Sequence, residues 1–458
     1  MASFTTLLFS VFTLFSRLVL ASSSKNNIPA TITIPLKPTF TKNPSTEPLL
    51  FLQHLATASM SRSHHLKHGK ASPLIQTSLF PHSYGGHTIP LSFGTPPQKL
   101  SFLVDTGSHV VWAPCTTHYT CTNCSFSNPK KFPIFNPELS SSDKILGCRD
   151  PKCVDTSSPD VHLGCPRCNG NSKKCSHACP QYSLQYAIGA ASGFFLLENI
   201  DFPGKTIHKF LVGCTTSAER QPYSDALAGF GRTMFSLPMQ MGVKKFAYCL
   251  NSHDYDDTRN SSKLILDYSD GETEGLSYAS FLKNPPDFPF YYYLGVKDIK
   301  IGNKLLRIPS KYLTPGSDSR GGLMIDSGFA YGYMTQPVFK IVTNELKKQM
   351  SKYRRSLELE TQSGLTPCYN FTGHKSIKIP DLIYQFTGGA NMVVPGMNYF
   401  VLFPEASVAC FPVTTDAGTN TLEFTPGPSI ILGNYQQVDH YVEFDLKNER
   451  LGFVQQTC

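Results

Sequence analysis

At 458 residues the chain is too long for a single hydrophobic core, so two domains plus processed segments are expected. The formal charge of +8 is unevenly spread: through Leu74 seven basic residues stand against Glu47 alone, leaving about +2 for the remainder. That balance argues against a nucleic-acid partner.

Residues 1–21 contain the apolar run "FTTLLFSVFTLFSRLVLA" followed by small residues, which predicts a secretory signal, although Arg17 interrupts the run. No later stretch is apolar enough to span a bilayer, so no membrane association is expected. The predicted location is extracellular, the cell wall or apoplast in a plant, with the vacuole as the other destination. Residues 22–76 are rich in Ser, Thr and Pro, then in His and Lys ("SRSHHLKHGK"), with little apolar periodicity. They read as a propeptide that keeps the chain a zymogen.

From Tyr84 onward the chain has strand character. "HTIPLSFGTPPQKLSFLVDTGS" gives two β-rich runs about a Gly-Thr-Pro-Pro turn, a hairpin leading into Asp105. Residues 115–179 then hold nine of the fourteen cysteines, spaced by Ser, Asn and Pro, and read as a disulfide-stapled insertion. "CTNC" and "CPRCNGNSKKCSHAC" also fit zinc-ligand spacing, but behind a signal sequence bridges are expected, and neither metal nor cofactor. Asn123, Asn260 and Asn370 lie in glycosylation sequons.

Residues 181–250 return to β character, as does the stretch near 288–309. The break between an N-terminal lobe (77–283) and a C-terminal lobe (284–458) is placed in the Pro-rich "SFLKNPPDFP". One helix is predicted over 336–353, where Phe339, Val342, Leu346 and Met350 recur at helical spacing.

The chemistry lies in "FLVDTGS" and "LMIDSGF". Asp105 and Asp326 stand 221 residues apart, each at the end of an apolar strand entering a Gly-bearing turn. Each half also has a later apolar pair ending in glycine, "ALAGFGR" and "IILGNYQQ". That order suggests a duplicated β-lobe with the two turns face to face. Two close carboxylates share one proton, and such a dyad activates water against an amide without a metal. No HExxH-type metal spacing occurs.

On "DTGSHVVWAPC", the cysteine-rich insertion, "FAYCL", "MIDSG" and "ILGNYQQVDHYVEFDLKNERLGF", residues 84–458 resemble the pepsin-like aspartic proteases, most closely the plant nepenthesin-like branch. The resemblance implies an all-β-dominated, bilobal fold with few short helices, a monomer, and a polypeptide substrate in the inter-lobe cleft above Asp105 and Asp326. It implies that Thr106 and Ser327 exchange hydrogen bonds between the two loops and that the Ser108 hydroxyl supports Asp105. Tyr186 would cap substrate from a flap, against Trp112. It also implies the bridges Cys115–Cys121, Cys124–Cys214, Cys249–Cys458 and Cys368–Cys410, with Cys148 and Cys153 closing within the insertion.

The chain departs from the family where Phe329 replaces a hydroxyl-bearing residue after "IDSG", and where the flap reads "YAIGA", with Ala187 and Ile188. The function expected is a secreted, acid-active aspartic endopeptidase. The alternative is a catalytically weak or inactive pepsin-fold binding protein, like the plant inhibitors of microbial glycosidases.

Overall fold

The two β-rich runs form the hairpin His87–Phe93 and Gln98–Asp105, antiparallel, with Thr88 opposite Leu103 and Phe93 opposite Gln98. Gly94 turns the chain at φ +92°, which costs glycine no steric penalty. In the computed structural model the described residues are 31–38, 86–116, 118–124, 133–154, 178–186, 189–202, 205–220, 226–251, 262–416 and 426–458. The signal segment 1–21, most of the propeptide 22–76, the flap residues Ala187 and Ile188, Cys165, Cys168, Cys175 and Asn260 lie outside them.

The same strand arrangement occurs twice. In the first half Ala226–Gly229 runs parallel to Gln98–Asp105, bringing Gly229 opposite Asp105, and antiparallel to Val111–Pro114. Val111–Pro114 in turn runs parallel to the long strand Lys205–Glu219. In the second half Ile430–Leu432 runs parallel to Leu323–Ile325, with Leu432 opposite Ile325, and antiparallel to Gly332–Met334, which runs parallel to Val413–Thr414. These central strands are buried throughout, as sheets covered on both faces require.

The sheet of the first half continues into an antiparallel run that joins sequence from both halves. Its order is Ser277–Ser280, Arg450–Gln455, His440–Asp445, Lys245–Cys249, Ser262–Asp267 and Thr31–Pro38. Phe246 lies opposite Phe444, with stacked rings whose centroids are 4.5 Å apart. Thr31–Pro38 pairs Thr31 with Asp267 and Leu36 with Ser262, then reaches Thr88 and His87 through Lys37 and Pro38. A strand therefore stands inside the segment read as lacking periodicity. "TITIPL" alternates as a strand does, but the signal is short within a Ser/Thr/Pro-rich composition.

The expected helix is present as Gln336–Gln349, with Val338, Phe339, Val342 and Leu346 buried and Lys347 and Lys348 favourably placed in its last turn. It stops earlier than the 353 expected; Met350 caps it and remains buried. A second helix, Leu357–Ser363, ends at Gly364 in the left-handed conformation. At seven residues it was too short to show a period.

Cys249–Cys458 and Cys368–Cys410 are bonded as expected. Two pairings are corrected: Cys115 joins Cys214 and Cys121 joins Cys124, while Cys153 joins Cys179 and so closes within the insertion. Register explains the first two. Ala113 lies opposite Cys214, and the Cys115 N–H donates to Thr215 O at 2.9 Å, so Cys115 sits beside Cys214. Thr122 lies opposite Glu219, five residues further on, which puts Cys124 roughly 16 Å along the strand and out of bonding reach. Cys179 reaches Cys153 because its N–H donates to Leu146 O at 2.7 Å, closing the insertion back on itself. Cys148 is disulfide-bonded as well, but not to Cys153.

Candidate active site

Each aspartate leaves a buried strand and enters a turn whose backbone has little room to move. A Cβ on Gly229 would fall 2.7 Å from Val110 N and 2.8 Å from Ser108 O; a Cβ on Gly433 would fall 2.1 Å from Tyr331 O and 2.7 Å from Phe329 O. Only glycine lets the strand behind each turn approach this closely. The strands then anchor the turns: Phe230 N donates to Asp105 O at 2.8 Å, and Asp326 N to Leu432 O at 3.0 Å.

The two turns meet. Thr106 N donates to Ser327 Oγ at 3.1 Å and Ser327 N to Thr106 Oγ1 at 2.9 Å, a reciprocal clasp across 221 residues of sequence. Ser327 Oγ also donates to Val104 O at 3.0 Å. A Cβ on Gly328 would lie 2.3 Å from Asp105 Oδ1, so the second turn's backbone rests against the first turn's carboxylate.

Asp105 and Asp326 are both fully buried. Asp105 Oδ1 accepts from Gly107 N at 2.9 Å and Oδ2 from the Ser108 hydroxyl at 2.5 Å; Asp326 Oδ1 accepts from Gly328 N at 2.9 Å. Donors aimed at carboxylates favour the ionised form. Among the described residues no group of three or more His, Cys, Asp or Glu side chains is placed to hold a metal ion.

Trp112 is buried and its Nε1 donates to the half-buried Tyr186 hydroxyl at 2.7 Å. Tyr186 N donates to Gly189 O at 2.7 Å, closing the hairpin between Tyr182–Gln185 and Ala190–Phe202. The structure thus brings Asp105, Thr106, Ser108, Asp326 and Ser327 into one cluster and sets Trp112 and Tyr186 as a bonded pair.

Phe329 is fully buried, with its ring in a cluster of Phe288, Phe290, Tyr291, Tyr293, Met324, Tyr333 and Ile431. Position 329 is thus a packing position for an aromatic ring.

Sequence reasoning passed over four supporting residues. Gln437 Nε2 donates to Leu432 O at 2.9 Å and to Asp326 O at 3.4 Å, while its Oε1 accepts from the Tyr248 hydroxyl at 2.5 Å. Burial, then the Asp326 charge, keep the Tyr248 phenol well above its ordinary pKa. Asn434 Nδ2 donates to Ser327 O at 3.3 Å. The available signal was polar "NYQQ" directly after an apolar strand and glycine, in the family's C-terminal motif. The fourth is His109, buried one residue after Ser108.

Duplicated strands and clasped turns define a two-lobed, pepsin-like fold. The family models described as xylanase inhibitor N-terminal and xylanase inhibitor C-terminal match residues 87–266 and 291–455. The chain belongs to the pepsin-like aspartic protease family, in its plant nepenthesin-like branch.

An Arabidopsis thaliana protein described as a probable aspartyl protease is 29% identical over 420 residues, covering 81% of this chain and 82% of that one. Aspartic proteinase nepenthesin-2 of Nepenthes gracilis is 29% identical over 378 residues, covering 82% and 78%. Among solved structures, that titled edgp superimposes with a TM-score of 0.64 at 20% identity, covering 93% of this chain and 95% of that one. Basic 7S globulin from soybean gives 0.60 at 17%, covering 93% and 97%. No helix among the described residues is long and apolar enough to cross a membrane.

Proposed function

We propose that this protein is an acid-active aspartic endopeptidase, made as a secreted zymogen, with Asp105 and Asp326 as its dyad. The observation that carries the reading is the reciprocal Thr106–Ser327 clasp, which fixes two buried aspartates on facing turns. In acid the pair shares one proton, a general property of such dyads carried over to these residues. The ionised carboxylate takes a proton from water as that water attacks the scissile carbonyl carbon. The protonated one donates to the carbonyl oxygen; the resulting gem-diol collapses to a carboxylic acid as the proton taken from water passes to the departing amine nitrogen and a gem-diol hydroxyl proton returns to the other aspartate. The substrate is a polypeptide lying in the inter-lobe cleft under Tyr186. The propeptide would occupy the same cleft before activation.

A second reading, a binding protein of low or no catalytic activity, is favoured by Phe329 and by the altered flap sequence "YAIGA". A packed aromatic ring stands where a hydroxyl would donate to Asp326.

One experiment separates the two. The full-length chain is expressed, acidified and assayed on a denatured protein with and without a transition-state-mimicking peptide inhibitor, beside Asp105→Asn and Asp326→Asn. The peptidase reading expects inhibitor-sensitive cleavage that both substitutions abolish while the fold persists. Absence of cleavage at every pH, from folded wild-type protein freed of its propeptide, would establish the binding-protein reading.

A further inference from the structure

The dyad makes no use of a groove in the second half of the chain, a cavity of about 650 Å³ whose lining shares no residue with the cluster around Asp105 and Asp326. Its walls are held in place by hydrogen bonds. Gly302 turns at φ +53° between Val296–Ile301 and Lys304–Leu305, and its N–H donates to Asp381 O at 2.7 Å. At the end of the Gln336–Gln349 helix, Gln349 Nε2 donates to Ile301 O at 2.8 Å. Lys378 N donates to the Tyr353 hydroxyl at 2.8 Å, and the Tyr399 hydroxyl donates to Pro380 O. A Cβ on Gly396 would fall 2.5 Å from Ile379 Cβ, so the two sides of the groove are in close contact at its base. The groove is therefore formed before anything enters it, which spares a partner the cost of ordering it.

The lining combines two chemistries. Ile377 is 43% and Met397 54% exposed, and Ile379, Pro380 and Pro395 beside them are half-buried. Exposed apolar residues scattered singly need no explanation, but here they share one concavity. Lys352 and Lys378 are exposed on the same lining, against the carboxylate of Asp381 alone. Residues 347–378 hold seven basic residues against Glu358 and Glu360, a net +5, so the rest of the chain beyond Leu74 is net −3. Arg355 takes up Glu360, and Lys348 reaches Glu345 at 3.8 Å. Lys352, Arg354, Lys375 and Lys378 have no carboxylate partner among the described residues. Burial raises the Tyr353 phenol, but the Lys378 N–H and the Lys352 and Lys378 charges outweigh it and hold it below its ordinary value.

We propose that this groove is a docking site for an acidic polypeptide segment that carries a bulky aliphatic side chain. The aliphatic side chain lies against Ile377 and Met397, and carboxylates on either side of it pair with Lys352 and Lys378. A neutral apolar segment would leave the lysines unmatched, and a polyanion without apolar groups would leave Ile377 and Met397 in water. The charges steer and orient the segment, and the apolar contact holds it. The inference goes beyond the endopeptidase reading and does not depend on it, because what it predicts is binding rather than cleavage.

The test uses full-length protein at pH 6 with transition-state-mimicking inhibitor present to occupy the catalytic cleft. A fluorescein-labelled peptide, Asp-Glu-Glu-Asp-Leu-Asp-Glu-Glu-Asp, is titrated and read by anisotropy. A Kd of about 10–100 μM is expected. Reversing both charges, Lys352→Glu with Lys378→Glu, should weaken binding at least about tenfold, and Met397→Ser about three- to tenfold. All three side chains are exposed, so melting temperatures should match wild type. A wild-type Kd weaker than about 1 mM, or one unmoved by the charge reversals, overturns the proposal. So does equal binding of the peptide with serine in place of leucine, since that marks a general anion surface. Polygalacturonate displacing the labelled peptide at a lower carboxylate concentration than the unlabelled peptide does would assign the surface to an acidic glycan and overturn it too.

Discussion

Trp112 Nε1 donates to the Tyr186 hydroxyl at 2.7 Å, and Trp112 is the chain's sole tryptophan. Intrinsic fluorescence therefore reports on the Trp112–Tyr186 pair without labelling. Saturating transition-state-mimicking inhibitor should shift the tryptophan emission, and Tyr186→Phe should already carry part of that shift. Losing a bond of about 0.5–1.5 kcal/mol should lower kcat/KM by up to about tenfold, mainly through KM. Emission unmoved by inhibitor would detach Trp112 and Tyr186 from substrate binding.

Ser108 donates to Asp105 Oδ2 at 2.5 Å and is itself buried. Ser108→Ala removes this donor and leaves Gly107 N on the carboxylate. With about 1.5–3 kcal/mol at stake, kcat/KM should fall about ten- to a hundredfold. An unchanged kcat/KM would mean that Gly107 N alone holds the carboxylate.

Phe329→Thr sets two effects against each other. The restored hydroxyl offers about 1.5–3 kcal/mol to the Asp326 carboxylate. Removing a fully buried ring from the Phe288–Phe290–Tyr293 cluster costs about 3–5 kcal/mol. The cavity effect is the larger, so the melting temperature should fall while the rate per folded molecule rises by up to about tenfold. Phe329→Leu separates the two, losing ring packing without supplying a hydroxyl. If Phe329→Leu is as fast as Phe329→Thr, the hydroxyl is not the cause.

Much of this site was legible because its determinants are local. Asp105 and Asp326 announce themselves through short apolar strands and glycines, and Gly229 and Gly433 through the same pattern once removed. The clasp between Thr106 and Ser327 was legible only through family resemblance, since nothing in a single sequence relates residues 221 positions apart. The Cys115 and Cys124 pairings were misread for a related reason: spacing does not give strand register, and Ala113 opposite Cys214 decides the partner. Phe329 looked like a defect at an aspartate and proved to be part of an aromatic cluster assembled from four separate segments. His109 gave no signal, because a lone histidine after "DTGS" resembles any turn residue until its burial is seen.

Stability should respond to pH in opposite senses at two carboxylates. Asp445 accepts from Asn448 N at 3.0 Å, Asn448 Nδ2 at 2.8 Å and Arg450 Nε at 2.9 Å. Burial raises its pKa, but Asn448 and Arg450 outweigh burial and hold it below the ordinary range. A depressed carboxylate stabilises the fold above the unfolded value near 3.9, and that contribution is lost as pH falls through the folded value. Asp143 is the reverse: burial, then the Glu198 charge, raise it, so the fold loses stability as pH rises through its folded value. Asp445→Asn should therefore lower the melting temperature at pH 6, by the equivalent of about 1–3 kcal/mol for the weakened ionic bonds, with the difference narrowing below about pH 4. Asp143→Asn should raise the melting temperature at pH 6 and leave it unchanged at pH 3. Thermal scans from pH 2.5 to 7 check both. If Asp445→Asn tracks wild type throughout, the Arg450 pairing does not stabilise the sheet; if Asp143→Asn gains nothing at pH 6, Asp143 and Glu198 do not repel each other enough to matter.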